Sequence, residues 1–167
     1  MKFKNYLLLI FVLSLLSCVN YKLDEDACEV CGNYYFRYID KTQVEFCGWT
    51  RDSIDKLEGD MYVPEKIYNL NVAEIAQASK VYRCGYSYEK LENYMKGIKS
   101  IVIPTTVKTI KAYAFSGCQD IKRVSFKETS NWYTKNLNNN TWMSIDVSDS
   151  SRNATELMAG RILQRIE

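Results

Sequence analysis

Histidine is absent from this sequence of 167 residues. Its absence excludes Ser-His-Asp and Cys-His catalysis and the His-Glu-x-x-His zinc site. The sequence also lacks the glycine-rich loops that cradle phosphate groups and the acidic spacing of a calcium loop. We therefore expect a protein that is not an enzyme, with no cofactor, no metal site and no small-molecule substrate.

An excess of either charge is missing as well. The sequence has 22 basic and 20 acidic residues, and 20 of each remain if Lys2 and Lys4 leave with an export signal. Nucleic-acid binding requires a concentrated positive field, so no nucleic-acid partner is predicted. The 150 residues after position 17 are enough for one domain with its own core.

The first 17 residues have the pattern of an export signal. Lys2 and Lys4 precede an apolar run, Tyr6 to Leu16, that is shorter than the ~20 residues needed to span a bilayer. The residues up to Cys18 resemble the bacterial lipobox, which implies cleavage before Cys18 and lipid on its sulfur and amine. We predict a lipoprotein signal peptide (1–17), a lipidated tether (18–33) and a location in the bacterial cell envelope, at the outer membrane or cell surface. The alternative is an ordinary secretory signal with an incidental cysteine.

The remaining cysteines do not make a complete disulfide framework. Beyond Cys18 they are odd in number: Cys28, Cys31, Cys47, Cys84 and Cys118. Export permits oxidation, so pairing of Cys28 with Cys31, Cys47 or Cys84 is expected. The spacing of Cys28 and Cys31 also fits half of a zinc knuckle or a redox dithiol, although the second CxxC of a zinc site is missing. A structural disulfide or free thiols are favoured, and a thiol or metal protein using Cys28 and Cys31 is an alternative.

A 23-residue repeat is the main positive signal in the sequence. Between Gly97 and Phe126 the apolar residues Ile98, Ile101 and Ile103 return as Ile121, Val124 and Phe126. A period of this length is typical of folds in which stacked units bury their apolar edges against one another.

The two prolines reveal an earlier, degenerate unit. Pro64 and Pro104 each follow an apolar-x-apolar triplet, where proline ends a strand. Val72 and Ile75 then match Val107 and Ile110 in their spacing. From Met61 to Ile101 there are 40 residues, 17 more than the regular 23, and most of the excess lies between Ala76 and Gly97. We interpret it as an insertion that is either a contact element or a loop covering one edge.

The flanking segments have the patterns of caps. Two β-rich runs, Tyr34 to Ile39 and Gln43 to Trp49, predict a hairpin with its turn at 40–42. After Phe126 we predict two more strands (131–135 and 141–147), then a helical turn and a short strand within 154–166. Trp132 and Trp142 are expected near each other, as a plug at the end of the core.

The regular unit resembles the BspA-like bacterial leucine-rich repeat family. The matching residues are Ile101, Ile103, Pro104, Val107, Ile110, Ala114, Phe115, Gly117 and Cys118. In the earlier unit Ser79 and Lys80 stand where Ala114 and Phe115 would fall. The resemblance implies a single, mainly β domain over residues 34–167, with short helical or irregular turns. It also implies a short solenoid of about two to three units, capped by β-hairpins.

The same resemblance implies a surface adhesin or interaction module that binds a protein partner, with the lipid holding it on a membrane. Because side chains alternate along a strand, one row of the repeat faces solvent. We predict Tyr62 and Arg123 as the strongest contacts. The alternative is a periplasm-facing structural or envelope-assembly lipoprotein. The predicted binding residues are Asp60, Tyr62, Ser100, Val102, Arg123, Ser125 and Lys127.

Overall fold

The computed structural model describes residues 28–54, 60–78, 97–135, 140–158 and 160–166. Strands are the predominant regular structure of these residues, so the predicted mainly β character is confirmed. The predicted signal peptide, Cys18 and most of the insertion lie outside them. The strands are β1 (Glu29–Cys31), β2 (Tyr34–Tyr38), β3 (Gln43–Trp49), β4 (Met61–Tyr62), β5 (Lys66–Ile67), β6 (Leu70–Ile75), β7 (Ser100–Ile103), β8 (Thr109–Ile110), β9 (Arg123–Phe126), β10 (Trp132–Lys135), β11 (Trp142–Ser144) and β12 (Ile162–Arg165); the helices are α1 (Arg51–Ile54) and α2 (Ser150–Met158).

β4, β7 and β9 form a three-stranded parallel sheet. Ile101 lies beside Val124, and Ile103 lies beside Phe126, so positions 23 residues apart are neighbours across strands. Met61 in turn lies beside Ile101. The register predicted from the repeat is therefore confirmed.

The other described strands form a second sheet in the order β1-β2-β3-β6-β8-β12-β10-β11, with β5 paired to β6. β3, β6 and β8 run parallel to one another. Ile75 lies beside Ile110, which confirms the predicted match between the degenerate and the regular unit. The sequence patterns did not predict β1, which falls within the range assigned to the tether.

The extra residues of the degenerate unit fall in two places. After Pro64 the chain makes the small β5–β6 hairpin, whose turn residues Tyr68 and Asn69 have φ of 49° and 65°. Positive φ at both central residues is the geometry of the tight hairpin turn that follows the twist of its strands. The larger part of the excess falls within 79–96, outside the described residues, so its predicted role as a contact element stays a prediction.

Apolar residues from both sheets share one core. Ile101, Ile103 and Val124 of the smaller sheet and Ile110 of the larger are fully buried. Phe115 and Cys118, on the turn after β8, join the same cluster. The residues of this turn that match the BspA-like repeat pattern therefore fill the core. Burial raises the pKa of the Cys118 thiol to about 12, because an apolar environment disfavours the thiolate.

The predicted N-terminal hairpin is formed by β2 and β3. In its turn the Asp40 carboxylate accepts hydrogen bonds from the backbone N–H of Thr42 at 2.6 Å and of Gln43 at 2.9 Å. These bonds, first of all the one from Thr42, lower the pKa of Asp40. Behind the turn, Arg37 Nε donates to Glu45 Oε2 at 2.8 Å across the two strands, and Glu45 is buried. Burial opposes the charge on Arg37, but the hydrogen bonds and charge of Glu45 outweigh it and its pKa is raised.

Two side chains cover the two edges of the three-stranded sheet. At the outer edge of β4, the Trp49 indole N–H donates to the carbonyl oxygen of Tyr62 at 3.2 Å. At the outer edge of β9, the Asn153 amide on α2 donates to Val124 O at 2.9 Å and to Val147 O at 2.7 Å. Both side chains are almost fully buried. An unpaired strand edge is a template for pairing with another chain, so these contacts close the small sheet at both sides.

The C-terminal segment has the predicted strands and helical turn, but the two tryptophans are apart. Trp132 is buried against Phe126, with ring centroids 4.9 Å apart. Trp142 lies opposite Lys135 at the other end of the β10–β11 ladder and is 41% exposed. The prediction that they lie near each other is wrong, because the antiparallel register of the hairpin separates them. Trp132 fills the end of the core alone.

Candidate protein-binding face

The predicted binding residues lie on the three-stranded sheet, on the side opposite the core. We call this side of the sheet the outward face; it comprises the seven predicted binding residues together with Glu65. Met61 and Val63 point into the core, whereas Tyr62 between them is 58% exposed. Val124 and Phe126 are likewise buried, whereas Ser125 between them is exposed. The alternation of the strands produces this division.

The first row across the face consists of Asp60, Ser100 and Arg123. Ser100 lies beside Arg123, and its hydroxyl donates to the Asp60 carboxylate. Arg123 Nη2 lies 3.5 Å from Asp60 Oδ1, so this ion pair passes over the middle strand. Ser100 is consequently only 5% exposed. Its prediction as a solvent-facing contact residue is wrong, because the two charged side chains on either side of it close over it.

The second row contains Tyr62, Val102 and Ser125, and it has no charge. Tyr62 lies beside Val102, and Val102 beside Ser125. Tyr62 has the largest exposed apolar surface in this row, and its own carbonyl oxygen is held by Trp49. The exposed aromatic side chain of Tyr62 is therefore attached to a strand that pairs with β7 on one side and contacts Trp49 on the other.

The third row is an ion pair, and only one of its two residues, Lys127, was among the predicted binding residues. Lys127 Nζ lies 2.9 Å from Glu65 Oε1, and both side chains are about half exposed. Glu65 was not among the predicted residues because it follows Pro64, after the end of the strand. The repeat register places Pro64 in the same row as Pro104 and Lys127, so Glu65 lies one position beyond this row and its side chain reaches across to Lys127.

The acidic and the basic side chains of the outward face lie at different strands of the sheet. The acids Asp60 and Glu65 lie before and after β4, whereas the base Arg123 is the first residue of β9 and Lys127 directly follows that strand. Between the two ion pairs lies the uncharged row of Tyr62. Solvent-exposed ion pairs of this kind contribute little to stability, at most about 1 kcal/mol each. They are therefore available to a charged partner at low cost.

The cysteines do not form the predicted alternative site. Cys28 is disulfide-bonded, and the other described cysteines, Cys31, Cys47 and Cys118, are thiols. Pairing of Cys28 with Cys31 or Cys47 is therefore wrong. Residues 29–31 are an extended strand, which at about 3.3 Å per residue sets the Cα atoms of Cys28 and Cys31 about 10 Å apart, beyond the ~7 Å reach of a disulfide. A Cys28–Cys31 redox pair therefore lacks the required geometry.

The Cys31 thiol instead lies against a tyrosine. Its hydrogen bond with Tyr68 is the first cause of the raised pKa of that phenol. Within the described ranges, no group of three or more cysteine, aspartate or glutamate side chains is arranged to hold a metal ion. Among the same residues, none of the helices has the length and apolar character to cross a membrane.

Together, the repeated register and the stacked parallel strands define a β-rich repeat protein. Residues 89–156 match the family described as "BspA type Leucine rich repeat region (6 copies)". This match confirms, for that part of the chain, the resemblance stated from the sequence.

One solved structure is similar, a leucine rich cell surface protein from Faecalibacterium prausnitzii A2-165. The two chains are 21% identical, the TM-score is 0.43, and the similarity covers 61% of this chain. This chain corresponds to only 24% of that protein's length. None of the curated proteins matches this chain.

Proposed function

We propose that this chain is an exported, lipid-anchored leucine-rich repeat protein that binds another protein through the outward face and has no catalytic role. The observation that carries the proposal is Tyr62, which is 58% exposed in the uncharged middle row of the outward face. Aromatic and guanidinium side chains dominate binding energy in protein interfaces. Tyr62 and Arg123 supply one of each, in adjacent rows.

The fold proposed for this function is a short solenoid of about two to three units. Its support is the parallel register of β4, β7 and β9 and the second parallel pair, β6 and β8, on the larger sheet. In this arrangement the regular unit contributes β7 to the smaller sheet and β8 to the larger, and the degenerate unit contributes β4 to the smaller sheet and the β5–β6 hairpin to the larger. The Trp49 hairpin and the Asn153 helix are the caps that a stack of repeats needs, because a terminal unit otherwise exposes its edge.

The binding site is tested by alanine substitution and capture of partners from envelope and host protein extracts. We expect Tyr62→Ala and Arg123→Ala each to weaken binding of a captured partner by more than about 1 kcal/mol, with an unchanged melting temperature. Tyr68→Ala and Arg152→Ala are matched controls, because Tyr68 is 60% exposed and the Arg152 side chain 57% exposed, both away from this face. Equal losses in the controls would contradict the proposed site.

A second variant separates the face from the predicted insertion. Deletion within Val81 to Tyr94 should leave binding intact if the outward face is the site. Loss of binding on deletion, with Tyr62→Ala neutral, would move the site to the insertion. Survival of binding in both variants would place it on the caps or the C-terminal segment.

The proposed location rests on the signal-like residues 1–17 and on Cys18, and it has its own test. Cys18→Ala should abolish labelling with a fatty-acid probe and release the protein from the membrane fraction or leave the signal uncleaved. Unchanged labelling would contradict lipidation at this cysteine. Protease treatment of intact cells then distinguishes surface exposure, where the protein is degraded, from a periplasm-facing location, where it is protected.

A further inference from the structure

On the outward face, negative charge lies at one edge of the three-stranded sheet and positive charge at the opposite edge. Asp60 and Glu65 lie at the β4 side, and Arg123 and Lys127 at the β9 side. Asp60 is level with Arg123, and Glu65 is close to the level of Lys127. Each end of the face therefore carries one acid and one base, with the acids always on the same side. The uncharged row of Tyr62 lies between them.

This pattern is complementary to itself under one rotation. If a second copy is turned by 180° about an axis parallel to the strands, its β4 lies over β9 of the first copy. Arg123 then faces Asp60 of the second copy, and Lys127 faces the Glu65 of that copy. A rotation about an axis perpendicular to the strands, within the plane of the face, would instead place Asp60 opposite Glu65, which is a like-charge contact. The distribution of charge therefore selects a single two-fold arrangement.

The uncharged row fits the same arrangement. Val102 is half-buried and central, so it meets its own counterpart at the axis. Tyr62 on one side of the axis meets the small Ser125 of the second copy, and the reverse contact follows by symmetry. A bulky side chain opposite a small one allows two sheets to approach closely. Isologous contacts of this type are the commonest way in which identical chains associate.

We propose that the partner of the outward face is a second copy of this chain, bound face to face with parallel strands. This inference rests on the proposed function, because it takes the outward face to be the protein-binding surface. The ion pairs that now join β9 to β4 within one chain are exchanged for the same pairs between chains. Three short strands offer less surface than the ~1,200–2,000 Å² of a stable interface, so the dimer has micromolar or weaker affinity.

The test exchanges charges between two full-length copies that carry different affinity tags, with co-capture quantified in detergent. Wild-type copies should capture each other. Arg123→Glu alone and Asp60→Lys alone should each reduce self-capture at least tenfold, because each meets a like charge in its own second copy. A mixture of the two variants should recover capture, since Glu at one position then faces Lys at the other. Each variant is checked for an unchanged melting temperature.

A second pair, Lys127→Glu and Glu65→Lys, repeats the exchange at the other end of the face with different residues. No self-capture by the wild type, self-capture that persists in the single variants, or a mixture that stays separate would each overturn the inference. Association through the lipid or through another surface would give self-capture that persists in the single variants. Failure of this inference leaves the proposed function standing, because that function is tested separately by the loss of captured partner proteins in Tyr62→Ala and their retention in the Tyr68→Ala control.

Discussion

Asn153 joins α2 to the edge of the repeat sheet, and its replacement measures how strongly this contact stabilises the fold. Its amide donates to the carbonyl oxygens of Val124 and Val147 at 2.9 and 2.7 Å, and the residue is 2% exposed. In Asn153→Ala both oxygens lose this donor while they remain buried. A buried polar group without its partner costs about 1–3 kcal/mol. With the lower part of this range, about 1–2 kcal/mol, for each of the two oxygens, we expect a loss of about 2–4 kcal/mol in the free energy of unfolding.

The assay is thermal or chemical denaturation followed by circular dichroism. For a chain of this size the expected loss lowers the melting temperature by about 5–12 °C. Arg152→Ala is the matched control on the same helix, since its side chain is 57% exposed and lies 4.0 Å from Glu156, and exposed pairs of this kind contribute little. A loss in Asn153→Ala no greater than in Arg152→Ala would refute the argument.

Asn153→Asp sharpens the test, because the shape is kept while the donor is removed. An ionised carboxylate only accepts hydrogen bonds, so it opposes two carbonyl oxygens, whereas the protonated form donates again. The native environment therefore favours the protonated form and raises the pKa of the new carboxyl. The stabilising contribution of that proton is present at low pH and lost as pH rises through the folded-state pKa. The stability of this variant relative to Asn153→Ala should therefore improve on acidification.

The remaining predictions concern the register and the cysteines. Ile103→Ala should lower the free energy of unfolding by about 2–5 kcal/mol, because it removes a fully buried side chain, whereas Ser125→Ala on the outward face should change it little; equal effects would contradict the register. Peptide mapping without reductant should find Cys28 in a disulfide, and alkylation before unfolding should mark Cys31 more readily than the buried Cys118. If Cys18 carries lipid, Cys84 is the one cysteine of the sequence left as the partner of Cys28, and a Cys18–Cys28 disulfide would contradict the acylation.

The register of the repeat sheet was predictable because its signal is periodic. Ile101 and Val124 repeat at 23 residues, and identical spacing has one physical meaning, stacking of equivalent strands. The exposure of Tyr62 follows from the same alternation. Ser100 was not predictable in this way, because its burial depends on the ion pair between Asp60 and Arg123, which come from two other strands.

The features that the sequence analysis missed depend on contacts between distant segments. Asn153 lies just before the predicted helical turn, and nothing local in the sequence indicates that its amide reaches Val124 in another strand. β1 was assigned to the tether because three residues have no period of their own. Trp142 was predicted beside Trp132 because the two strands that carry them were expected to be neighbours, whereas the antiparallel register of β10 and β11 sets them at opposite ends of the ladder.

The two ion pairs that cross the small sheet also set an upper limit to its width. Each pair spans two strand spacings, about 10 Å in all, which is close to the combined reach of the two side chains. Insertion of a fourth 23-residue unit between β7 and β9 would leave the Trp49 and Asn153 contacts undisturbed, since both touch only the outer strands. It would, however, pull the acids and bases about 5 Å further apart and release all four charges to solvent. A lengthened variant should therefore fold, yet present a wider and more strongly charged face.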